Sequence, residues 1–295
     1  MFNTFAVLLA TTVVANAASS SNPYIPDDIS IGCSSYLETL NDDTSLSACT
    51  SALTTASSGF GPGGNSTSAS KATITSALTR ICSTSTTSTC SQSLITGKLA
   101  AFYTACGAEL TSTPSTQVKT IYDTFYSLLP LLTAVCTQDD SGNWCALNAA
   151  PSSAAANLAP ALATSKTAVR RADTVTAYMP NATTINSNNI LFLFLDGSLP
   201  QAELCTSCTR NILTSYISFE ANTNYAPGLP QSVLMSGQPA LYAGVVGTCG
   251  PDFLTNAVKA AGGLGQGTGS GSSGALPLRP AGAVLAMLVG VAFLL

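Results

Sequence analysis

Cys205-Thr206-Ser207-Cys208 is the segment whose residue types and spacing come nearest to a reactive site. A C-x-x-C at the start of a helix suits thiol–disulfide exchange, because the helix N-terminus favours a thiolate. The apolar run 190–195 just upstream imitates the strand that comes first in thioredoxin-like folds. Two features argue otherwise. Leu204 stands where such sites usually carry tryptophan, and Cys205, Cys208, Ile212, Tyr216 and Phe219 share one helical stripe. Two cysteines one turn apart on a buried face are expected to bond two different partners.

Carboxylates are the other candidates. The chain has no histidine, which rules out a Ser-His-Asp triad, a Cys-His pair and a His-ligated zinc site. A hydrolase here would need paired carboxylates, one as acid and one as nucleophile or base. The pairs are Asp27-Asp28, Asp42-Asp43 and Asp139-Asp140, while Glu38, Glu109, Glu203 and Glu220 stand alone. Asp42-Asp43 precedes a helical pattern and reads as an N-cap. Asp139-Asp140-Ser141-Gly142-Asn143 reads as a turn leading into Trp144-Cys145, without the ligand spacing of an EF-hand loop. With a single tryptophan, no aromatic sugar platform is evident. The sequence therefore assigns no catalytic residue, no metal site and no cofactor. Nor does it favour a nucleic-acid partner, since ten Lys+Arg against fourteen Asp+Glu give a net charge of −4 and no basic patch.

The elements that carry the cysteines are helical. Val118, Ile121, Tyr122, Phe125, Leu129, Leu132 and Cys136 fall on one stripe, as do Ile95, Leu99, Phe102 and Cys106. Ile74, Leu78, Ile81 and Cys82 follow the same rule, and so do Leu46, Cys49 and Leu53. Cysteines on the buried faces of amphipathic helices are placed to staple helix to helix, each bond adding about 2–4 kcal/mol. Structural disulfides are expected for all ten: Cys33, Cys49, Cys82, Cys90, Cys106, Cys136, Cys145, Cys205, Cys208 and Cys249. A compact cysteine-rich ligand carrier is a poor match, because these ten are spread from Cys33 to Cys249.

Both ends of the chain look like processing signals. The short apolar run 5–14 followed by Ala15-Asn16-Ala17 reads as a signal peptide over 1–17, with Ala18 as the near alternative for cleavage. Residues 281–295 are apolar to the last position, too short for a comfortable span, and follow a Gly/Ser stretch and a short spacer. That pattern fits a glycosylphosphatidylinositol (GPI) attachment signal. Ser270 is the expected attachment residue, with Gly271 and Ser272 as alternatives, so that 271–295 would be removed and 261–270 would form a disordered Gly/Ser stalk. Asn65-Ser66-Thr67 and Asn181-Ala182-Thr183 are N-glycosylation sequons. Only 8% of residues are charged and roughly a quarter are Ser or Thr, against about 25% charged in an ordinary soluble domain.

The expected fold is an all-α, disulfide-stapled helical domain with a long Ala/Ser/Pro-rich insertion. Its N-terminal lobe spans 18–147, a linker or insertion 148–188, and a C-terminal lobe of the same domain 189–260. Helices are predicted near 34–41, 45–57, 69–82, 90–106, 115–136, 200–220, 238–248 and 252–260. Pro130 is expected to kink or split the long one. The one strand-like run is Ile190–Leu195, which six apolar residues alone cannot distinguish from buried helix. Seven cysteines precede the insertion and three follow it. Both numbers are odd, so full pairing requires at least one disulfide between the segments. The insertion holds the dibasic pair Arg170-Arg171, either an unused exposed pair or a cut site for a kexin-type secretory protease.

Several segments together resemble a fungal family of secreted, cysteine-rich, GPI-anchored-type surface proteins catalogued as a domain of unknown function. The likeness is carried by Cys33-Ser34-Ser35-Tyr36-Leu37-Glu38, Ala105-Cys106-Gly107-Ala108-Glu109-Leu110, Ile121-Tyr122-Asp123 through Tyr126, Leu204–Arg210, Tyr216–Glu220, Tyr225-Ala226-Pro227-Gly228 and Gln238–Cys249. It spans about 33–255 and implies no catalytic residue. Together with the two ends, it implies a cell-surface or cell-wall glycoprotein held at the outer leaflet of the plasma membrane by a lipid, with wall polysaccharide or surface proteins as partners. A structural, adhesive or binding role is expected, and a GPI-anchored carbohydrate-active hydrolase using two carboxylates is the alternative.

Overall fold

A computed structural model describes residues 22, 24–60, 70–148, 162–170 and 173–255. The signal peptide, Asn65, Arg171, the Gly/Ser stalk and the attachment residues Ser270, Gly271 and Ser272 lie outside the described residues. The described chain is mostly helical. Its helices are α1 (Ile31–Asn41), α2 (Thr44–Ala56), α3 (Lys71–Ile81), the single turn α4 (Thr84–Thr87) and α5 (Gln92–Gly107). After a π-helical turn at Ala108–Ser112 come α6 (Thr116–Val135) and the short α7 (Cys145–Asn148). The second half adds α8 (Ala182–Ser187), α9 (Gln201–Leu204), α10 (Ser207–Asn222) and α11 (Gln238–Cys249).

Helix starts follow from hydroxyl and amide chemistry. Ser30, Asp43, Ser70, Ser91, Ser115, Asn181 and Thr206 each cap a helix by accepting a first-turn N–H. Inside helices the hydroxyls turn back on the carbonyl four residues earlier, as Thr120, Thr124, Thr214 and Ser215 do. A buried hydroxyl paired in this way carries little desolvation penalty. This is how so Ser/Thr-rich a chain folds as helices.

The centre is α6. Sixteen of its residues are buried, from Val118 to Val135, the mark of a helix surrounded on all sides. It packs on α5 at one flank and α10 at the other, while α1 covers α5. Edge-to-face or tilted rings run through this core from Tyr36 to Phe102, Tyr122, Tyr225, Tyr126 and Phe219, with centroids 5.0–5.5 Å apart. One hydrophobic core includes residues from both sides of the insertion.

Five disulfides pin the helices: Cys33–Cys106, Cys49–Cys90, Cys82–Cys136, Cys145–Cys208 and Cys205–Cys249. No cysteine is free. Three bonds lie before the insertion and one after it. Cys145–Cys208 joins the two segments, as the odd cysteine counts require.

Several expectations need correction. Pro130 does not split α6, which stays one helix from Thr116 to Val135. The residue is buried, so packing around it offsets the one hydrogen bond it forfeits. Ile190–Leu195 is not a strand. Ile190–Phe192 forms a 3₁₀ turn, and Leu193 and Phe194 follow in the left-handed region at φ 51° and 64°. Strain of that kind costs about 1–3 kcal/mol per residue. All six side chains are buried, and burying each large apolar side chain returns about 1.5–3 kcal/mol, so the plug is held in place. The helix expected over 200–220 breaks at Cys205-Thr206 into α9 and α10. Residues 251–254 form a turn where a helix over 252–260 is predicted, and 256–260 lie outside the described residues. The insertion contains an antiparallel pair, β1 (Leu162–Arg170) and β2 (Asp173–Pro180), with Arg170 opposite Asp173, followed by α8.

Where the plug leaves the core, Gly197 lies directly against Gly244 of α11. A Cβ on Gly244 would fall 2.6 Å from the Gly197 Cα, and one on Gly197 would fall 2.9 Å from the Gly244 Cα. Only glycine permits this backbone contact.

Candidate functional site

The densest polar cluster is built by one face of α6 against the loop 223–234. Asp123 is fully buried. Its Oδ1 accepts from the Tyr225 hydroxyl, and its Oδ2 accepts from Ser232 Oγ at 2.9 Å and from the N–H groups of Val233 and Leu234 at 2.6 and 2.9 Å. One turn earlier, Lys119 Nζ donates to Gln231 Oε1 at 3.0 Å. One turn later, the Tyr126 hydroxyl donates to the Thr223 carbonyl at 2.5 Å. Asn186 Nδ2 reaches the Val233 carbonyl from α8 at 2.7 Å. A loop of twelve residues is thus held through its backbone by Tyr126 and Asp123, more than ninety positions away in sequence, and by Asn186.

Burial drives the electrostatics. It raises the Asp123 carboxyl above its ordinary value, against the pull of its four donors. It pushes the Tyr122 hydroxyl up to about 12, with the Ala226 backbone drawing it partly back. Tyr225 rises further still, through burial and the charge of Asp123 beside it. With no exposed atom and four donors already bound, Asp123 has no lone pair to offer a substrate. The cluster is a clamp.

A half-buried acid lies on α10. Glu220 Oε1 accepts from Gln238 Nε2 at 2.5 Å, and the same nitrogen donates to the Tyr242 hydroxyl at 2.9 Å. Burial raises the Glu220 carboxyl, and the Gln238 bond only partly opposes it. A carboxyl with a raised folded value contributes stability that is complete below the unfolded value of about 4.3. That contribution disappears as pH climbs through the folded value. Glu220 therefore acts to raise the thermal midpoint near pH 4 relative to pH 7, opposite in sign to the lowered carboxyls Asp43 and Glu109. Glu220→Gln should remove that contribution by stabilising the neutral-pH form, measured by calorimetry at both pH values. An unchanged difference between the two midpoints would remove Glu220 from this role.

The carboxylates singled out from the sequence are mostly occupied elsewhere. Asp43 caps α2 through Ser45 and Leu46 and pairs with Lys98, whose ammonium leads the groups holding its carboxyl well below the usual range. Asp42 ends α1. Asp139 accepts from the N–H groups of Ser141 and Asn143, and Gly142 takes φ 81°, giving the turn expected there. Glu109 is buried, and its Oε1 accepts from the Ser30 N–H at 2.7 Å. Burial pushes the Glu109 carboxyl up, but the Ser30 donors and its own backbone N–H outweigh that and hold it below its ordinary value. Glu38, Glu203 and the pair Asp27-Asp28 are exposed. Asn181 caps α8 through Oδ1, 3.2 Å from the Thr184 N–H, which leaves Nδ2 as the nitrogen a glycan would use. Among the described residues no group of three His, Cys, Asp or Glu side chains could hold a metal ion, and no helix is long and apolar enough to cross a membrane.

Cys205 and Cys208 do bond two different partners, Cys249 and Cys145. The residue that pattern reading passed over as a candidate is Asp123. The available signal was a single acid set among Ile121, Tyr122, Phe125 and Tyr126 on an apolar stripe.

Fold and site together define a disulfide-stapled helical domain with a buried polar clamp at its centre. The family model described as "Domain of unknown function (DUF7729)" matches residues 16–175, and the chain belongs to that family. The match ends before the segment 204–255, to which the sequence resemblance extends, and before every donor to Asp123. No curated protein and no solved structure matches this chain.

Proposed function

We propose that this chain is a fungal-type cell-surface or cell-wall glycoprotein, GPI-anchored, with a structural, adhesive or binding role and no catalysis of its own. The observation that carries the reading is the pairing of all ten cysteines in five disulfides, a state kept in oxidising compartments. The use of Asp123, Asp43 and Asp139 as structural acceptors supports a non-enzymatic role, and the two end signals supply the route and the anchor. Deleting residues 281–295 tests it. The full chain is expected on the cell surface with N-linked sugar, and the deleted form in the medium with its disulfides intact. A deleted form that stays in the membrane fraction, or a full chain found inside the cell without sugar, would overturn the reading.

A further inference from the structure

We propose that Cys205-Thr206-Ser207-Cys208 is an intramolecular thiol–disulfide exchange site. Once an external dithiol has opened Cys205–Cys249, the site passes the break on to Cys145–Cys208, the bond between the two segments. Two disulfides share this one C-x-x-C, so the sulfur released from the first bond belongs to the residue three positions before the second.

Access selects the entry point, since exchange needs the attacking thiolate to reach a sulfur. Cys205 and Cys249 are both partly exposed, so their bond can be entered at either sulfur, whereas Cys145–Cys208 offers a partly exposed Cys208 but a buried Cys145. All four sulfurs of Cys33–Cys106 and Cys49–Cys90 belong to buried residues. Cys82–Cys136 is also partly exposed, but it has no third cysteine within three positions in sequence, so opening it leads no further.

The electrostatics suit attack at Cys208. Cys208 is the second residue of the sixteen-residue helix α10, whose Thr206 cap accepts the Thr209 N–H and leaves the N–H groups of the first two positions without helical acceptors. Their partial positive charge favours the negative charge that develops around Cys208 as it is attacked, while Cys208 itself stays disulfide-bonded throughout. Arg210, with a buried Nε that has no hydrogen-bond partner, lies with its guanidinium 5.5 Å from the Phe253 ring, four residues beyond Cys249.

The steps balance. The dithiol reduces Cys205–Cys249 and becomes a cyclic disulfide, leaving two thiols on the protein. Cys205 loses its proton and attacks Cys208 Sγ. The Cys205–Cys208 bond forms, the Cys145–Cys208 bond breaks, and Cys145 leaves as a thiolate that takes up the proton. No electrons are gained or lost in this second step. Its product holds the two segments together through packing and backbone alone.

The full-length Cys249→Ser chain supplies Cys205 as a thiol without any reductant. After incubation at pH 8, acid quench, unfolding and alkylation, peptide mapping is expected to find label on Cys145 severalfold above that on Cys205. A Cys205–Cys208 bond within one peptide should accompany it. Label confined to Cys205, with the Cys145–Cys208 pair intact, would overturn the proposal. Graded dithiothreitol treatment of the unaltered chain gives a reading that does not depend on the variant folding. Cys145 and Cys249 are expected to be freed together, whereas Cys205 and Cys249 freed together would refute the exchange.

Discussion

Asp123→Ala is expected to destabilise the chain by about 3–5 kcal/mol, the range for removing one partner from a buried charged network. The loss is large because of what remains. The Tyr225 hydroxyl, the Ser232 hydroxyl and two backbone N–H groups would stay buried with no acceptor, and each unsatisfied group costs about 1–3 kcal/mol before the site relaxes. Asp123→Asn keeps the shape and one acceptor oxygen but turns an amide N–H₂ toward existing donors, so it should fall between the two. Urea unfolding of the oxidised chain measures this. Against a typical total of about 5–15 kcal/mol, the alanine variant would be marginal. A loss below about 1 kcal/mol would show that the loop 223–234 holds itself and that α6 does not clamp it.

Gly244→Ala should cost about 3 kcal/mol, at the upper end for an overpacked contact. The new methyl would meet the backbone of Gly197, and no rotamer change can move a Cα. Relief requires shifting either α11 or the end of the buried plug, and the plug already contains two left-handed residues. For a domain of this size that corresponds to a fall of about 6–12 °C in thermal midpoint. Gly247, one turn further along α11, is the control. A Cβ there meets nothing within 4 Å, so Gly247→Ala should be neutral or stabilising by about 0.5–1 kcal/mol through helix propensity. Equal losses at 244 and 247 would mean that helix α11, rather than the glycine contact, sets the sensitivity.

Periodicity made most of the helices legible before any coordinates, because Ile74-Leu78-Ile81 and Ile95-Leu99-Phe102 repeat at the helical period. Hydroxyl and acidic caps marked their starts, with Asp43 read in advance as one of them. Odd cysteine counts required a bond between the segments, and Cys145–Cys208 is that bond. Other features were hidden for identifiable reasons. Ile190–Leu195 is apolar at every position, so it has no period to reveal how it folds. Proline's penalty is local, whereas the packing that keeps α6 whole is tertiary. The pairing of Leu162–Arg170 with Asp173–Pro180 was masked by an Ala/Ser/Thr composition that resembles a linker. Asp123 gains its meaning only from partners about a hundred residues downstream, a distance that no local pattern spans.

Six of the seven side-chain helix caps are uncharged, and among the described residues one ion pair, Lys98–Asp43, is present. Mobile ions weaken a fold by screening exposed charges, over about 10 Å at 0.1 M and about 3 Å at 1 M. Exposed ion pairs are the contacts most affected. Here the joints between helices are mainly covalent bonds, buried hydrogen bonds and apolar contact, with Lys98–Asp43 the one ion pair among the described residues. Concentrated brine and changing ionic strength have little to act on. The scarcity of charge therefore gives this chain tolerance to salt.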